Sequence, residues 1–283
     1  MLPAVTSIHQ VTLRTSRLAQ LTSFYQTVVG LKPIRITEDA SWLSASGQEP
    51  AQLLLVQDNA ALPLNRRSPG LYHVAWLVPD RQQLARTLQH LLETNWPLQG
   101  ASNHLVSEAL YLADPDGNGI EIYADRPRAT WPVHNNQVQM ATLRLNIPEL
   151  LAEIKTATDW EGLAPETKIG HLHLQVSGLE KAKAFYVGLL GFAVMQSTYS
   201  GALFVAANGY HHHLGLNTWH SSQSLPALPY QAGLVNFTIY IPDATYLATL
   251  QQQLKAAGVT VETLNEHAFT FRDPDNLQVI IQG

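Results

Sequence analysis

The sequence predicts an α+β fold in which four repeated βαβββ modules close into two cupped mixed-sheet domains. Three internal matches carry this expectation. QVTLRTSRLAQLTSFYQTVVGLKPI, from Gln10, is echoed by HLHLQVSGLEKAKAFYVGLLGFAVM, from His171. GLYHVAWLVPDRQQLARTLQHLLETNWPL, from Gly70, is echoed by GLVNFTIYIPDATYLATLQQQLKAAGVTV, from Gly233. A DPD turn at Asp114–Asp116 returns at Asp273–Asp275. The offsets are 161, 163 and 159 residues, so the second half repeats the first with small insertions only.

Each element follows from its local pattern. The first and third modules open on an alternating strand, then an amphipathic helix bearing a Phe-Tyr pair (Phe24-Tyr25 and Phe185-Tyr186), which a glycine ends (Gly30 and Gly191). In the second and fourth modules an apolar strand stops at Pro79-Asp80 or Pro242-Asp243 and a longer helix follows. The DPD turn then precedes a short apolar final strand. A helix and its strands cannot bury both faces of a sheet alone, so modules must pair. Module bounds fall at about 5–58, 69–126, 169–220 and 232–283, which divides the 283-residue chain into 1–127, a connector 128–168, and 169–283. The connector is polar and punctuated by proline, with a short helical stretch near Glu149–Thr156.

Composition narrows the function classes. Hydrophobic residues make up 46 % and charged ones 14 %, which is core-forming and excludes a disordered or collagen-like chain. The net charge is −5 and no basic run occurs, so nucleic acid is not an expected partner. The absence of cysteine removes disulfides, thiolate metal sites and cysteine nucleophiles. No charged-then-apolar leader opens the chain and no 18-residue apolar run occurs, so a cytoplasmic protein without a membrane partner is the expectation. Twelve histidines stand out.

The repeated βαβββ pattern resembles the vicinal oxygen chelate superfamily, which includes extradiol ring-cleaving dioxygenases, glyoxalase I and fosfomycin-resistance enzymes. The likeness covers nearly everything outside the connector and implies the glyoxalase/extradiol dioxygenase fold. In that superfamily the first strand of a module can supply a metal-binding His and the last strand a Glu. Two imidazoles and a carboxylate on one face of divalent iron leave the opposite positions open for substrate and dioxygen. In register, the first-strand positions hold Gln10, His73, His171 and Asn236, and the final-strand positions of modules two and four hold Glu121 and Ile280. The resemblance thus implies His73, Glu121 and His171 as metal ligands. His9 lies one residue out of register, because the position 14 before Phe24, matching His171 before Phe185, is Gln10. Alternation turns His9 away, as a surface histidine, unless a turn indel shifts it.

The most specific signal surrounds Glu121. The run from His104 through Tyr111 and the Asp114-Pro115-Asp116-Gly117 turn to Glu121 resembles the extradiol signature, with Ser102 a departure from it. In module four the matching positions are Thr270 and Ile280. The run Tyr210-His211-His212-His213-Leu214 resembles the strand that carries the acid–base histidine of extradiol enzymes, which falls on His212. Alternation along that strand lets only one face's worth of the three histidines into a pocket, leaving His211 and His213 as alternatives. The strings SEALYLADPDGNGIEIYADRPR and GYHHHLGLN resemble the bacterial two-domain catechol-2,3-dioxygenase-like group.

The resemblance implies an oxidoreductase of aromatic-compound catabolism that cleaves catechol or a substituted catechol beside its hydroxyls. It would use Fe(II), or Mn(II) or another divalent metal, with O2 as co-substrate. His212 would move the substrate proton, Tyr111 would hydrogen-bond a substrate oxygen, and His104 would stand at the pocket wall. The partner is then a small aromatic diol, catechol or hydroquinone in type, and assembly into a homo-oligomer is open. Two other classes compete. A lyase, isomerase or thiol transferase of the same superfamily would hold another metal and consume no oxygen, but Ala51–Asp58 and His212–Trp219 offer no glutamate for the ligand such members take from the partner module. A non-catalytic aromatic-binding or resistance protein would carry no metal.

The ligand positions also bear on module pairing. Consecutive pairing leaves neither half with a full triad, whereas pairing module two with three gathers His73, Glu121, Tyr111 and His104 opposite His171 and His212. The crossed arrangement is therefore expected, with Gln10, Asn236, Thr270 and Ile280 lining an inert cup between modules one and four. Should consecutive modules pair, His9 with His73 and Glu121 becomes the alternative set.

Overall fold

The computed structural model describes residues 2–156 and 159–283; two residues of the expected connector, Ala157 and Thr158, lie outside them. Module one comprises β1 (Ser7–Thr15), α1 (Leu18–Phe24), β2 (Lys32–Ile36), β3 (Ala40–Ser44) and β4 (Leu53–Gln57). Module two comprises β5 (Gly70–Leu77), α2 (Arg81–Glu93), β6 (Gly100–Asn103), β7 (Ser107–Ala113) and β8 (Gly119–Asp125). The next segment holds β9 (Val133–His134), β10 (Gln137–Val138), β11 (Leu143–Arg144) and α3 (Ile147–Leu151). Module three follows with β12 (Lys168–Gln175), α4 (Leu179–Lys183), β13 (Ala193–Gln196), β14 (Ala202–Ala206) and β15 (Leu214–Asn217). Module four ends the chain with β16 (Gly233–Tyr240), α5 (Ala244–Ala256), β17 (Glu262–Asn265), β18 (Ala268–Arg272) and β19 (Gln278–Gln282).

These strands form two large mixed sheets. One runs β17-β18-β19-β16-β1-β4-β3-β2 and joins modules four and one. The other runs β11-β6-β7-β8-β5-β12-β15-β14-β13 and joins modules two and three. Each is seamed by an antiparallel pair of first strands, β1 with β16 and β5 with β12. The connector is more than a link, because β11 pairs with β6 and extends the second sheet at its edge. Its helix also departs from expectation, spanning Ile147–Leu151 rather than Glu149–Thr156. Asn146 sets that start by accepting the Glu149 N–H, and Pro148 suits the first turn, where its missing N–H costs nothing.

Duplicated sequence signals become duplicated bonds. Asp80 accepts the Gln83 N–H and Asp243 the Tyr246 N–H, so the Pro-Asp pairs end a strand and cap a helix together. Gly30 and Gly191 take left-handed φ values of 90° and 87°, which side chains resist, and both helices stop there. The end of each Phe-Tyr helix widens into a π-turn, at Tyr25–Val29 and Ala184–Leu189, where the sequence pattern predicts plain α-helix. The widened turn carries each Tyr to a DPD turn, Tyr25 donating to Asp114 (3.1 Å) and Tyr186 to Asp273 (2.8 Å). Asp114 also accepts the N–H groups of Asp116 and Asn118, and Asp273 those of Asp275 and Leu277. The DPD aspartates are therefore buried knots between consecutive modules, bonded across the core as well as within their own turns.

Candidate metal centre

The site grows out of the alternation of side chains across the second sheet. Residues Tyr111, Glu121, Ala75 and His171 lie side by side on β7, β8, β5 and β12, and His73 pairs with His173 one step along. All point to one face, because strand side chains two apart share a face. The opposite face of β5 carries Val74 and Trp76, both fully buried in the hydrophobic core.

Three of these side chains converge. His171 Nε2 lies 3.2 Å and His73 Nε2 3.0 Å from the same oxygen, Glu121 Oε2. One ligand atom from each of the three lies within 4.8 Å of the others. His171 Nε2 and Glu121 Oε2 are hydrogen-bonded to each other, and the two residues are only 1 % and 3 % exposed. His73 Nε2 nevertheless makes no hydrogen bond, close as it is to the carboxylate. Three buried lone-pair donors facing one point, one without a partner, are the arrangement a divalent cation completes. Protonation states agree. Burial lowers the His171 pKa to about 4 against the opposing pull of Glu121, so the imidazole is neutral and able to exchange its Nε2 hydrogen bond to Glu121 for a cation. Burial pushes the Glu121 carboxyl up, but His171 and then His73 pull it further, well below the usual carboxylate range.

Around this group the structure places the remaining expected residues. Tyr111 is 2.5 Å from His104 Nε2, and His104 Nδ1 is 2.7 Å from the Ala141 carbonyl. A carbonyl only accepts, so His104 carries its hydrogen on Nδ1, and Nε2 takes the Tyr111 O–H. His104 thus acts first on Tyr111, with both of its nitrogens engaged. Burial, then Glu121, holds the Tyr111 phenol well above its ordinary pKa, which keeps it a neutral hydrogen-bonding group. His212 stands with its ring 4.0 Å from that of His171, and burial lowers its pKa well below the ordinary value.

The three-histidine run departs from the alternating strand expected. Its residues precede β15, in irregular backbone, so His211 and His212 turn toward each other with their Nδ1 atoms 2.7 Å apart. His213 turns elsewhere and accepts the Ala207 N–H. His9 is half-buried rather than a surface residue, its ring stacked 4.2 Å from that of Tyr240 on the paired strand β16, and it is not part of the convergent group. It occupies a bulge of β1, and Gly170 occupies the matching bulge of β12.

Sequence reasoning missed several neighbours. His173 is buried with its ring 5.0 Å from that of His73 and its Nε2 without a partner. Its spacing of two from His171 on a strand was the available signal. Gly215 makes room for it, since a Cβ there would sit 2.9 Å from the His173 ring. Asp125 was also legible, because Glu121, Tyr123 and Asp125 alternate onto one face of β8. Gly170 accommodates Tyr123 in turn, as its Cβ would meet the Tyr123 hydroxyl at 1.8 Å.

His73, His104, Tyr111, Glu121, His173 and His212 line a cavity of about 960 Å³. Tyr72, Tyr199, Phe204 and Trp219 give it an aromatic wall. A concave, largely apolar site of this size with a few convergent polar groups suits a small organic ligand. Among the described residues no helix is long and apolar enough to cross a membrane.

Fold and site together define a protein of paired βαβββ modules with a two-histidine, one-carboxylate candidate metal centre. The Glyoxalase/Bleomycin resistance protein/Dioxygenase superfamily pattern matches residues 7–122 and 168–281, and the chain belongs to that superfamily. It is 40 % identical over 280 residues to a Bacillus subtilis (strain 168) protein named catechol-2,3-dioxygenase, covering 95 % of this chain and 96 % of the relative. The fold is also similar to that of glyoxalase I from Zea mays (TM-score 0.59, 14 % identity, 98 % of this chain and 92 % of that one). The cppA protein of Streptococcus pneumoniae TIGR4 is equally similar (TM-score 0.59, 14 % identity, 98 % and 99 % covered). Such likeness extends to the fold alone.

Proposed function

We propose that this protein is an Fe(II)-dependent extradiol ring-cleaving dioxygenase acting on catechol or a substituted catechol. The observation that carries this reading is the meeting of His73, Glu121 and His171 at one buried point, beside a cavity that Tyr111 and His212 also line. The name of the 40 %-identical relative supports the same class. His73, His171 and Glu121 would hold the metal; when bound, divalent iron would supply a site for the diol and for dioxygen and a path for the electrons that pass from the diol ring to dioxygen, with no net change in the iron. The protein's own groups do the rest. His212 takes a proton from one diol hydroxyl and later returns it. Its own burial, and then the neighbouring histidines, keep it neutral and ready to accept. Tyr111 gives its O–H to His104, so its oxygen is left to accept a hydrogen bond from substrate and orient the ring. The aromatic wall packs against the ring and excludes water.

We further propose that modules two and three form the working unit, and modules one and four an inert one. The test of the activity is anaerobic reconstitution with Fe(II) followed by an oxygen electrode with catechol. A yellow ring-fission product with stoichiometric oxygen uptake is expected. No uptake by protein that retains one iron per chain, with catechol and with substituted catechols, would overturn the reading.

A further inference from the structure

A buried chain of hydrogen bonds leads away from the cavity at His212. His212 Nδ1 lies 2.7 Å from His211 Nδ1, and His211 Nε2 lies 3.0 Å from Asp125 Oδ1. Asp125 also accepts the Tyr210 hydroxyl at 3.0 Å, and the Tyr210 and Tyr123 hydroxyls are 2.7 Å apart. The His211 side chain is fully buried, whereas that of Asp125 is 26 % exposed, so the chain of bonds runs from the cavity wall to the solvent edge.

Valence orders the donors and acceptors. A carboxylate only accepts, so His211 Nε2 carries the hydrogen. With that as its one ring hydrogen, His211 offers a lone pair at Nδ1, and the 2.7 Å contact then needs the hydrogen to sit on His212 Nδ1. The lone pair of His212 is thereby left on Nε2, the nitrogen not engaged with His211, on a ring that lines the cavity. We infer that Asp125 and His211 are positioning residues that fix the tautomer of His212 and present its Nε2 to substrate as a proton acceptor. With the reverse tautomer Nε2 would already carry hydrogen and could accept nothing. Tyr210 and Tyr123 hold the carboxylate in place, and Trp131 packs its ring 5.2 Å from that of His211. The inference rests on His212 as the acid–base group, and its test separates the two claims.

The readout is the ring nitrogen spectrum of the full-length protein, labelled with 15N-histidine and loaded with zinc as a diamagnetic occupant. His212 is assigned by loss of its signals in His212→Asn. The wild type is expected to show hydrogen on His212 Nδ1 and on His211 Nε2; the opposite assignment overturns the inference without recourse to any variant. In Asp125→Ala the His212 hydrogen is expected to shift toward Nε2. In the iron-loaded enzyme kcat should then fall about 10- to 10²-fold, less than the whole worth of an acid–base group, with KM within about twofold. An unchanged tautomer in Asp125→Ala contradicts the inference, and so does a shifted tautomer with full kcat. If His212→Asn keeps full activity, the role of His212 fails; if it is inactive while Asp125→Ala is fully active, only the positioning role fails.

Discussion

Across the sheet of modules two and three, one row of paired residues reads Gly100, Tyr111, Glu121, Ala75, His171. The matching row across the sheet of modules one and four reads Glu262, Thr270, Ile280, Thr238, Gln10. One step along, His73 pairs with His173 in the first sheet and Asn236 with Thr12 in the second. The backbone registers coincide down to the bulge before His171 and Gln10, yet every lone-pair donor of the first row is replaced in the second. Thr270 turns its hydroxyl back to the Val279 carbonyl, and Ile280 fills the place of the carboxylate. The scaffold bonds, by contrast, are kept in both halves: Asp80 and Asp243 cap helices, and Tyr25 and Tyr186 bind Asp114 and Asp273. The difference teaches that the duplicated parts of this chain build the fold, and the unduplicated parts make up the candidate metal centre.

The largest expected effect lies at the carboxylate. Glu121→Gln removes the charge that balances the cation, and iron content by elemental analysis should fall from one per chain to near none. Iron retained in full would break the comparison at its centre. Next in size is His212→Asn, which should keep the metal and slow turnover by about 10²–10⁴-fold, the usual worth of a positioned acid–base group. Full turnover would move that role to another histidine of the run.

Acid should act through the histidine-rich half. His171 is lowered to about 4 and His213 to about 3 from an ordinary 6.5. Between those values and 6.5 the unfolded chain binds more protons than the folded one, so stability rises with pH in that window and is lost as pH falls. The Tm of metal-free protein should therefore drop between about pH 6.5 and pH 5, and a flat Tm would contradict the burial of neutral imidazoles. Smaller still, Tyr25→Phe and Tyr186→Phe should cost about 1 kcal/mol each in denaturant unfolding, because each removes one buried hydrogen bond of the same kind. A large inequality between them would show that the scaffold is less symmetric than its bonds.

Much of this was legible in the sequence. Repeat alignment is sensitive to strand register, and register decides which residues share a face, so Gln10, His73, His171 and Asn236 emerge as equivalents before any coordinates. What was not legible depended on backbone that leaves the regular pattern. His211 and His212 face each other because their segment is not a strand, and no alternation rule applies there. The π-turns that carry Tyr25 and Tyr186 to their aspartates are likewise invisible to a periodicity of 3.6. His173 and Asp125 were within reach of alternation, but each is unremarkable until a partner stands opposite, and those partners come from other modules.

The most direct test of the account is an anomalous-difference map from crystals loaded with iron under anaerobic conditions. One peak per chain is expected, about 2.0–2.2 Å from His73, His171 and Glu121, with none beside Gln10, Asn236 and Ile280. A peak in the sheet of modules one and four, or a single peak that leaves out any of the three, would contradict it.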